Sequence, residues 1–180
     1  MEYSWRKRRR KPSVWKGAAV GAVGGLMASW AMNEFSSLMK TVAESRSNGQ
    51  KQKAKKSGEQ QEEDPTITTA EKISETVADI KLNKEQKQKG GTVVHYAFGA
   101  LMGAVYGAAA EVAPPVKSLA GLPYGAALFV GADEIVLPVL GLSKKPTEYP
   151  LSKHHLSGLG QHLVYGATVE LVRRGMRERL

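Results

Sequence analysis

Apolar residues are gathered into four long runs, and polar residues into the gaps between them. The runs cover residues 14–39, 92–112, 119–142 and 154–172. A helix needs about 20 apolar residues to cross the hydrocarbon core of a bilayer, and each run approaches or exceeds that length. They are rich in Gly and Ala rather than Leu, so each is moderately apolar. Small residues suit membrane helices at close-packing positions, because no hydrophobic effect drives helices together in lipid. In a soluble helix each such glycine costs about 1 kcal/mol relative to Ala. The pattern therefore predicts an all-α, membrane-embedded four-helix bundle. A soluble bundle of buried helices is the competing expectation.

The gaps are organised too. Residues 1–13 form a basic segment containing "RKRRRK", and residues 173–180 a basic tail. Between the first two runs lies a polar insertion, residues 40–91, whose "SNGQKQKAKKSGEQQEED" reads as a solvated low-complexity stretch. After Pro65 the pattern changes. Thr68 with Glu71 suggests a capping box, and Ala70, Ile73, Val77 and Ile80 recur at helical spacing. An amphipathic helix is expected near 68–88, lying on the membrane surface or on the bundle. A basic start followed by an apolar stretch also resembles a secretory signal peptide. The first run has a counterpart later in the chain, which argues against cleavage.

That counterpart comes from an internal repeat. Residues 95–111 align with 154–170 without a gap, with seven identities in 17 positions, among them His95/His154, Tyr106/Tyr165 and Glu111/Glu170. The first and third runs align more weakly at an offset of 100, which pairs Gly21 with Gly121, Gly25 with Gly125 and Glu34 with Glu134. Two helical hairpins of the same orientation are implied, a parallel-type repeat with an axis along the membrane normal. Within each run small residues recur every four positions. Gly17, Gly21 and Gly25 mark the first run, Gly99, Gly103 and Gly107 the second, Gly121 and Gly125 the third, and Gly158 and Gly166 the fourth. Such slanted ridges predict GxxxG-type packing at right-handed crossings.

Charge changes the picture in two ways. The net charge of +9 raises nucleic-acid binding as a partner class. The basic run, however, directly precedes an apolar segment, where it serves to hold that end of a first span in the cytoplasm, so no nucleic acid is expected. Mean hydropathy is negative, but residues 40–91 alone hold 11 Lys/Arg and 9 Asp/Glu. With an even number of spans and basic residues at both ends, both termini are expected on the cytoplasmic side. The chain has no cysteine, which excludes disulfides and thiolate chemistry. No phosphate-binding loop, nucleophile elbow or tight metal-ligand spacing occurs, so no enzyme, cofactor or metal is expected. The lipid bilayer is the expected partner. A homodimer or larger homo-oligomer is compatible with so narrow a bundle, and the partner of the 40–91 insertion is not specified by its sequence.

The candidate chemistry lies with ionisable residues in or beside the runs. One end of the expected bundle gathers Glu34, His95, Asp133, Glu134, His154 and His155, with His162 further inside; the other carries Glu111 and Glu170. Asp133 and Glu134 fall inside the third run, with "IVLPVLGL" still to come. A carboxylate there is costly unless paired or solvated, which makes it a functional candidate by default. Beside an imidazole such an acid can take up and release protons near neutral pH. Glu34, His95, Asp133, Glu134, His154 and His162 are therefore the candidate proton- or ion-handling residues. Structural or interfacial roles for the same residues, and an exposed helix pair between Glu170 and Arg174, are the plainer alternatives. A non-transporting scaffold associating through its glycine ridges is the alternative function, and a membrane enzyme acting on a lipid a third.

The second half also carries a resemblance. "AAAEVAPPVKSLAGLPYGAALFVGADEIVLPVLGL" and "YPLSKHHLSGLGQHLVYGATVELVRRGMRER" resemble the YagU-like family of small bacterial inner-membrane proteins, over roughly residues 92–180. The specific points are Ala110-Glu111-Val112 before a Pro, the Pro138 to Gly141-Leu142 exit, Gly160-x-His162-Leu163-Val164, and Glu170 ahead of Arg173-Arg174. The resemblance implies an inner-membrane location and a link to acid tolerance. It brings no substrate and no catalytic residue. The insertion at 40–91 and the acidic pair at 133–134 look like departures from the family pattern.

Overall fold

The computed structural model describes residues 12–47, 65–78, 82–148 and 155–179, and among them the regular structure is entirely helical. Helix α1 spans Val14–Ser47, α2 Pro65–Ala78 and α3 Lys84–Val112. A 3-10 turn over Pro114–Gly121 leads into a third long helix. This helix is built of α4 (Leu122–Leu128), a π-helical segment (Phe129–Val136) and α5 (Leu137–Val139). A second 3-10 turn (Pro146–Glu148) precedes α6, Leu156–Arg177.

Local chemistry sets these boundaries. Asn83 and Gln86 form a reciprocal capping box, each side chain bonding the other's backbone N–H at 2.9 Å, and so start α3. The expected amphipathic helix is corrected here. It begins at Pro65, with Thr68 inside its first turn, and the described part ends at Ala78, while residues 84–88 belong to α3. Pro65 fits the first helical turn because no N–H is needed there, and the true capping box lies at Asn83. At the other end of α3, Ala113 is extended before Pro114-Pro115, as the residue before a proline prefers. The chain then reverses through Leu119, Ala120 and Gly121, all with positive φ. The third helix closes at Gly141, with φ +64, where Leu142 N–H donates to Leu137 and Gly141 N–H to Pro138, a Schellman motif.

Helix α1 runs antiparallel to both α3 and α6, and the third helix antiparallel to α6. The contacts are backbone to backbone. A Cβ placed on Gly21 would overlap the Gly103 carbonyl, and one on Gly25 the Gly99 carbonyl. In the second pair, a Cβ on Gly125 would overlap the His162 carbonyl and one on Gly121 that of Gly166. These contacts revise the register of the repeat. Gly17 lies over Gly107 and Glu111 as Gly121 lies over Gly166 and Glu170, and Gly21 meets Gly103 as Gly125 meets His162. The first and third helices therefore correspond at an offset of 104, one helical turn beyond the 100 read from identities. A ridge with glycine at every fourth position keeps most of its matches when slipped by four, so sequence identity alone could not fix the turn. Ser29 is therefore the counterpart of Asp133, and Trp30, not Glu34, that of Glu134.

At one end of the molecule the start of α1 and the end of α6 converge. Glu111 accepts from the Ser13 backbone N–H at 2.9 Å and from Arg177 at 2.8 and 3.0 Å. We refer to this as the terminal end. At the far end α2 lies across α3, with Ile67 over Gly91, Ala70 over Gly90, and Lys87 paired with Glu71 at 2.5 Å. Lys72 reaches from α2 to the exit of the third helix, donating to the Leu140 and Gly141 carbonyls at 3.2 and 3.0 Å.

The interior mixes apolar and ionisable groups, and many large apolar side chains lie outside it. The buried cluster is Ala28, Met32, Tyr106, Ala110, Tyr165 and Val169, joined by buried Ser29, His162, Glu170 and Arg173. Large apolar side chains stand outside, among them Trp30, Leu101, Val105, Val130, Ile135 and Val139. Two helical stretches are long and apolar enough to cross a membrane, Lys84–Val112 and Pro114–Val139, each with a mean hydropathy of 1.4. Only 28% and 17% of their most apolar windows are buried inside the protein. The expected first and fourth spans do not reach the same apolarity among the described residues. Lys16 at the start of α1, Asn33 and Glu34 further along it, and the Gln, His, Glu and Arg side chains of α6 bring them below it.

Candidate functional site

The third helix widens where its acids lie. Pro138 has no N–H to offer the carbonyl of Glu134, and its ring crowds that carbonyl. The turn before it opens into i→i+5 bonding, with Leu137 N–H donating to Ala132. More residues per turn bring consecutive side chains closer in direction, so Asp133 and Glu134 both reach histidines. π-Turns of this kind are frequent at functional sites.

Glu134 Oε1 lies 2.8 Å from His155 Nδ1, and the two side chains are 15% and 19% exposed. The other nitrogen of the same ring, Nε2, lies 3.2 Å from the Pro146 carbonyl. Both neighbours are acceptors. With Glu134 ionised, a neutral imidazole can donate to one of them, and the imidazolium to both. Asp133 Oδ2 stands 3.7 Å from His162 Nδ1, which lies 3.0 Å from the Gly158 carbonyl. The first distance is an ion-pair spacing and the second a hydrogen bond. The Phe129 ring lies 5.5 Å from the His162 imidazole and covers Gly158, where a Cβ would lie 2.7 Å from the ring. The site is thus two carboxylates on one turn, each facing a histidine from the region of α6, half sheltered and half open.

Not all the expected residues join it. Glu34 is exposed on α1. His95 sits on α3, with Nε2 3.4 Å from the Ser29 carbonyl and its ring edge-on to Tyr96. His154 lies outside the described residues. His155, grouped at this end of the chain without being singled out as a candidate, is the one that meets Glu134. Its signal was present in the sequence only as one of two adjacent histidines.

Glu111 and Glu170, at the terminal end, hold the structure together. Glu170 is 1% exposed, which corrects the expectation of a surface pair with Arg174. It accepts from Tyr106 Oη at 2.9 Å, from Arg173 at 2.6 and 2.9 Å and from Arg174 at 2.9 Å. Tyr106 belongs to α3, so this bond ties the two hairpins. Hydrogen bonding to Glu170 raises the Arg173 pKa, and hydrogen bonding to Glu111 raises that of Arg177, so both guanidiniums stay charged. Two more tyrosines bridge elements: Tyr165 Oη donates to the Gly99 carbonyl at 2.6 Å and Tyr124 Oη to that of Met102 at 2.7 Å. The arginine spacing could be read from sequence; the buried tyrosine across the hairpins could not.

Among the described residues, no group of three His, Asp or Glu side chains converges as a metal would require. No curated protein and no solved structure matches the chain. Comparison with protein families matches residues 35–171, most of the chain, to a family described as a protein of unknown function, DUF1440. The chain, with its acid-bearing π-turn and glycine-packed helices, belongs to that uncharacterised family.

Proposed function

We propose that this is a multi-pass inner-membrane protein that moves protons along the polar interior of a four-helix bundle. The bundle is two hairpins packed through glycine ridges, with Asp133, Glu134, His155 and His162 forming its far-end proton site. The observation that carries this reading is an exposed apolar exterior around buried ionisable groups. Apolar side chains face outward while carboxylates, imidazoles and tyrosine hydroxyls face in, an arrangement suited to lipid and unfavourable in water. From the far end to the terminal end the interior offers His155 with Glu134, Asp133 with His162, then Tyr165 and Tyr106, then Glu170 with Arg173. Lys117 and the arginines of α6 lie at the terminal end, which the positive-inside rule assigns to the cytoplasm. The likeness to YagU-like inner-membrane proteins supports the location and suggests acid tolerance as the setting. The ridge glycines Gly17, Gly21, Gly25, Gly99, Gly103 and Gly107 are occupied within the chain, which weakens the scaffold alternative that would use them between copies.

Purified full-length protein in liposomes with an internal pH dye, under an imposed pH gradient, tests the proposal. We expect flux well above empty liposomes, falling at least tenfold in Glu134→Gln. Folded wild-type protein that gives no flux, or a Glu134→Gln variant that conducts as well as wild type, overturns it.

A further inference from the structure

We propose that the terminal end is a docking surface for the headgroups of anionic phospholipids. The proposal rests on the membrane reading above. Basic side chains reach this end from three separate parts of the chain: Lys16 on the first turn of α1, Lys117 in the turn after α3, and Arg173, Arg174, Arg177 and Arg179 at the close of α6. The acids nearby are Glu111, Glu170 and Glu178, and the first two are turned inward. Glu170 is 1% exposed and the Glu111 side chain 8%. The carboxylates fix the guanidinium groups from within, so the charge presented outward is predominantly positive. Arg174 bonds Glu170 yet keeps its side chain 58% exposed, and Lys16 and Arg179 are exposed.

What distinguishes a lipid from a soluble anion is the belt next to these charges. Trp15 is 83% exposed, Leu119 75%, Val112 65% and Leu171 64%, all within a few residues of the basic groups. Apolar side chains with cations just beyond them match an acyl chain ending in a phosphate, and tryptophan is typical of that boundary. At the far end, by contrast, Lys72 is committed to backbone carbonyls, and Lys40, Lys84, Lys89, Lys144 and Lys145 are interspersed with Glu34, Glu71, Glu75, Glu85 and Glu148. Each basic residue at an anionic membrane surface contributes about fivefold in affinity.

Native mass spectrometry of the full chain in detergent, with equimolar phosphatidylglycerol and phosphatidylcholine, tests the proposal. We expect phosphatidylglycerol to be retained at least tenfold over phosphatidylcholine. The preference should fall toward one in the Lys16→Gln/Lys117→Gln/Arg179→Gln triple variant, none of whose positions supplies the hydrogen bonds to Glu111 or Glu170 described above. Added salt should weaken retention of phosphatidylglycerol alone on the wild-type chain, a check that requires no variant. Equal retention of both lipids, an unchanged preference in the triple variant, or displacement by glycerol phosphate as effective as by phosphatidylglycerol overturns the inference and leaves the membrane reading intact. A chain that stays monodisperse without detergent and retains neither lipid overturns both.

Discussion

The two hairpins make the same packing with different materials. In the first, Gly21 and Gly25 of α1 meet Gly103 and Gly99 of α3, backbone against backbone. In the second, the position equivalent to Gly103 is His162, the one equivalent to Gly25 is Phe129, and the one equivalent to Ser29 is Asp133. There Phe129 covers Gly158 and the His162 ring, and the helix loosens into a π-turn. One copy keeps the close glycine seam; the other gives up part of it and gains ionisable groups. On the proposed reading, one hairpin secures the geometry on which the other's proton site depends.

Substitutions at glycine give the largest contrast. Gly21→Leu puts a branched side chain where even a Cβ overlaps the Gly103 carbonyl, and neither backbone can yield without parting the helices. We expect loss of monodisperse protein in detergent. Gly131→Ala in the π-turn meets nothing within 4 Å and should leave the elution profile unchanged. If Gly21→Leu folds normally, the first hairpin is not the rigid one.

Next in size is Glu170→Ala. Removing this acid leaves Arg173, 6% exposed, without the bonds that Glu170 supplies. Breaking a buried pair in this way costs about 3–5 kcal/mol, and thermal or denaturant unfolding in detergent should show it. A loss below about 1 kcal/mol would mean that Arg173 reaches water once unpaired.

His162→Gly tests the division directly, since it gives the second hairpin the residue found at Gly103 in the first. Glycine in a helix costs about 1 kcal/mol, so the protein should still fold, while proton flux in liposomes should fall about tenfold. Unchanged flux would place His162 among the packing residues. The smallest effect is expected for Lys72→Met. It removes a cation and two hydrogen bonds from the end of the third helix, which is worth about 0.3–1 kcal/mol. Hydrogen exchange should rise locally at residues 140–142, and stability elsewhere should not change.

Much of this organisation was legible in the chain. The four-residue recurrence of Gly17, Gly21 and Gly25 marked a ridge, and "VYGA" at 105–108 and 164–167 marked a duplication. Adjacent acids inside an apolar run marked a candidate site. The register of α1 on the repeat was not legible, because a ridge matches itself after a four-residue slip. Nor was the inclusion of His155 and the exclusion of His95, since each was simply a histidine at the edge of an apolar run.

The sequence by itself determined the helical character, the break at Ala113-Pro114 and the small-residue faces, because these follow from backbone preference and spacing within a few residues. Only the tertiary structure decided that Glu170 is buried beneath Tyr106, that Pro138 opens a π-turn rather than a kink, and that Glu134 meets His155 while His95 rests on Ser29. Such pairings depend on the rotation and depth of one helix against another. Those are set by backbone contacts summed over whole ridges, and no local stretch of sequence contains them.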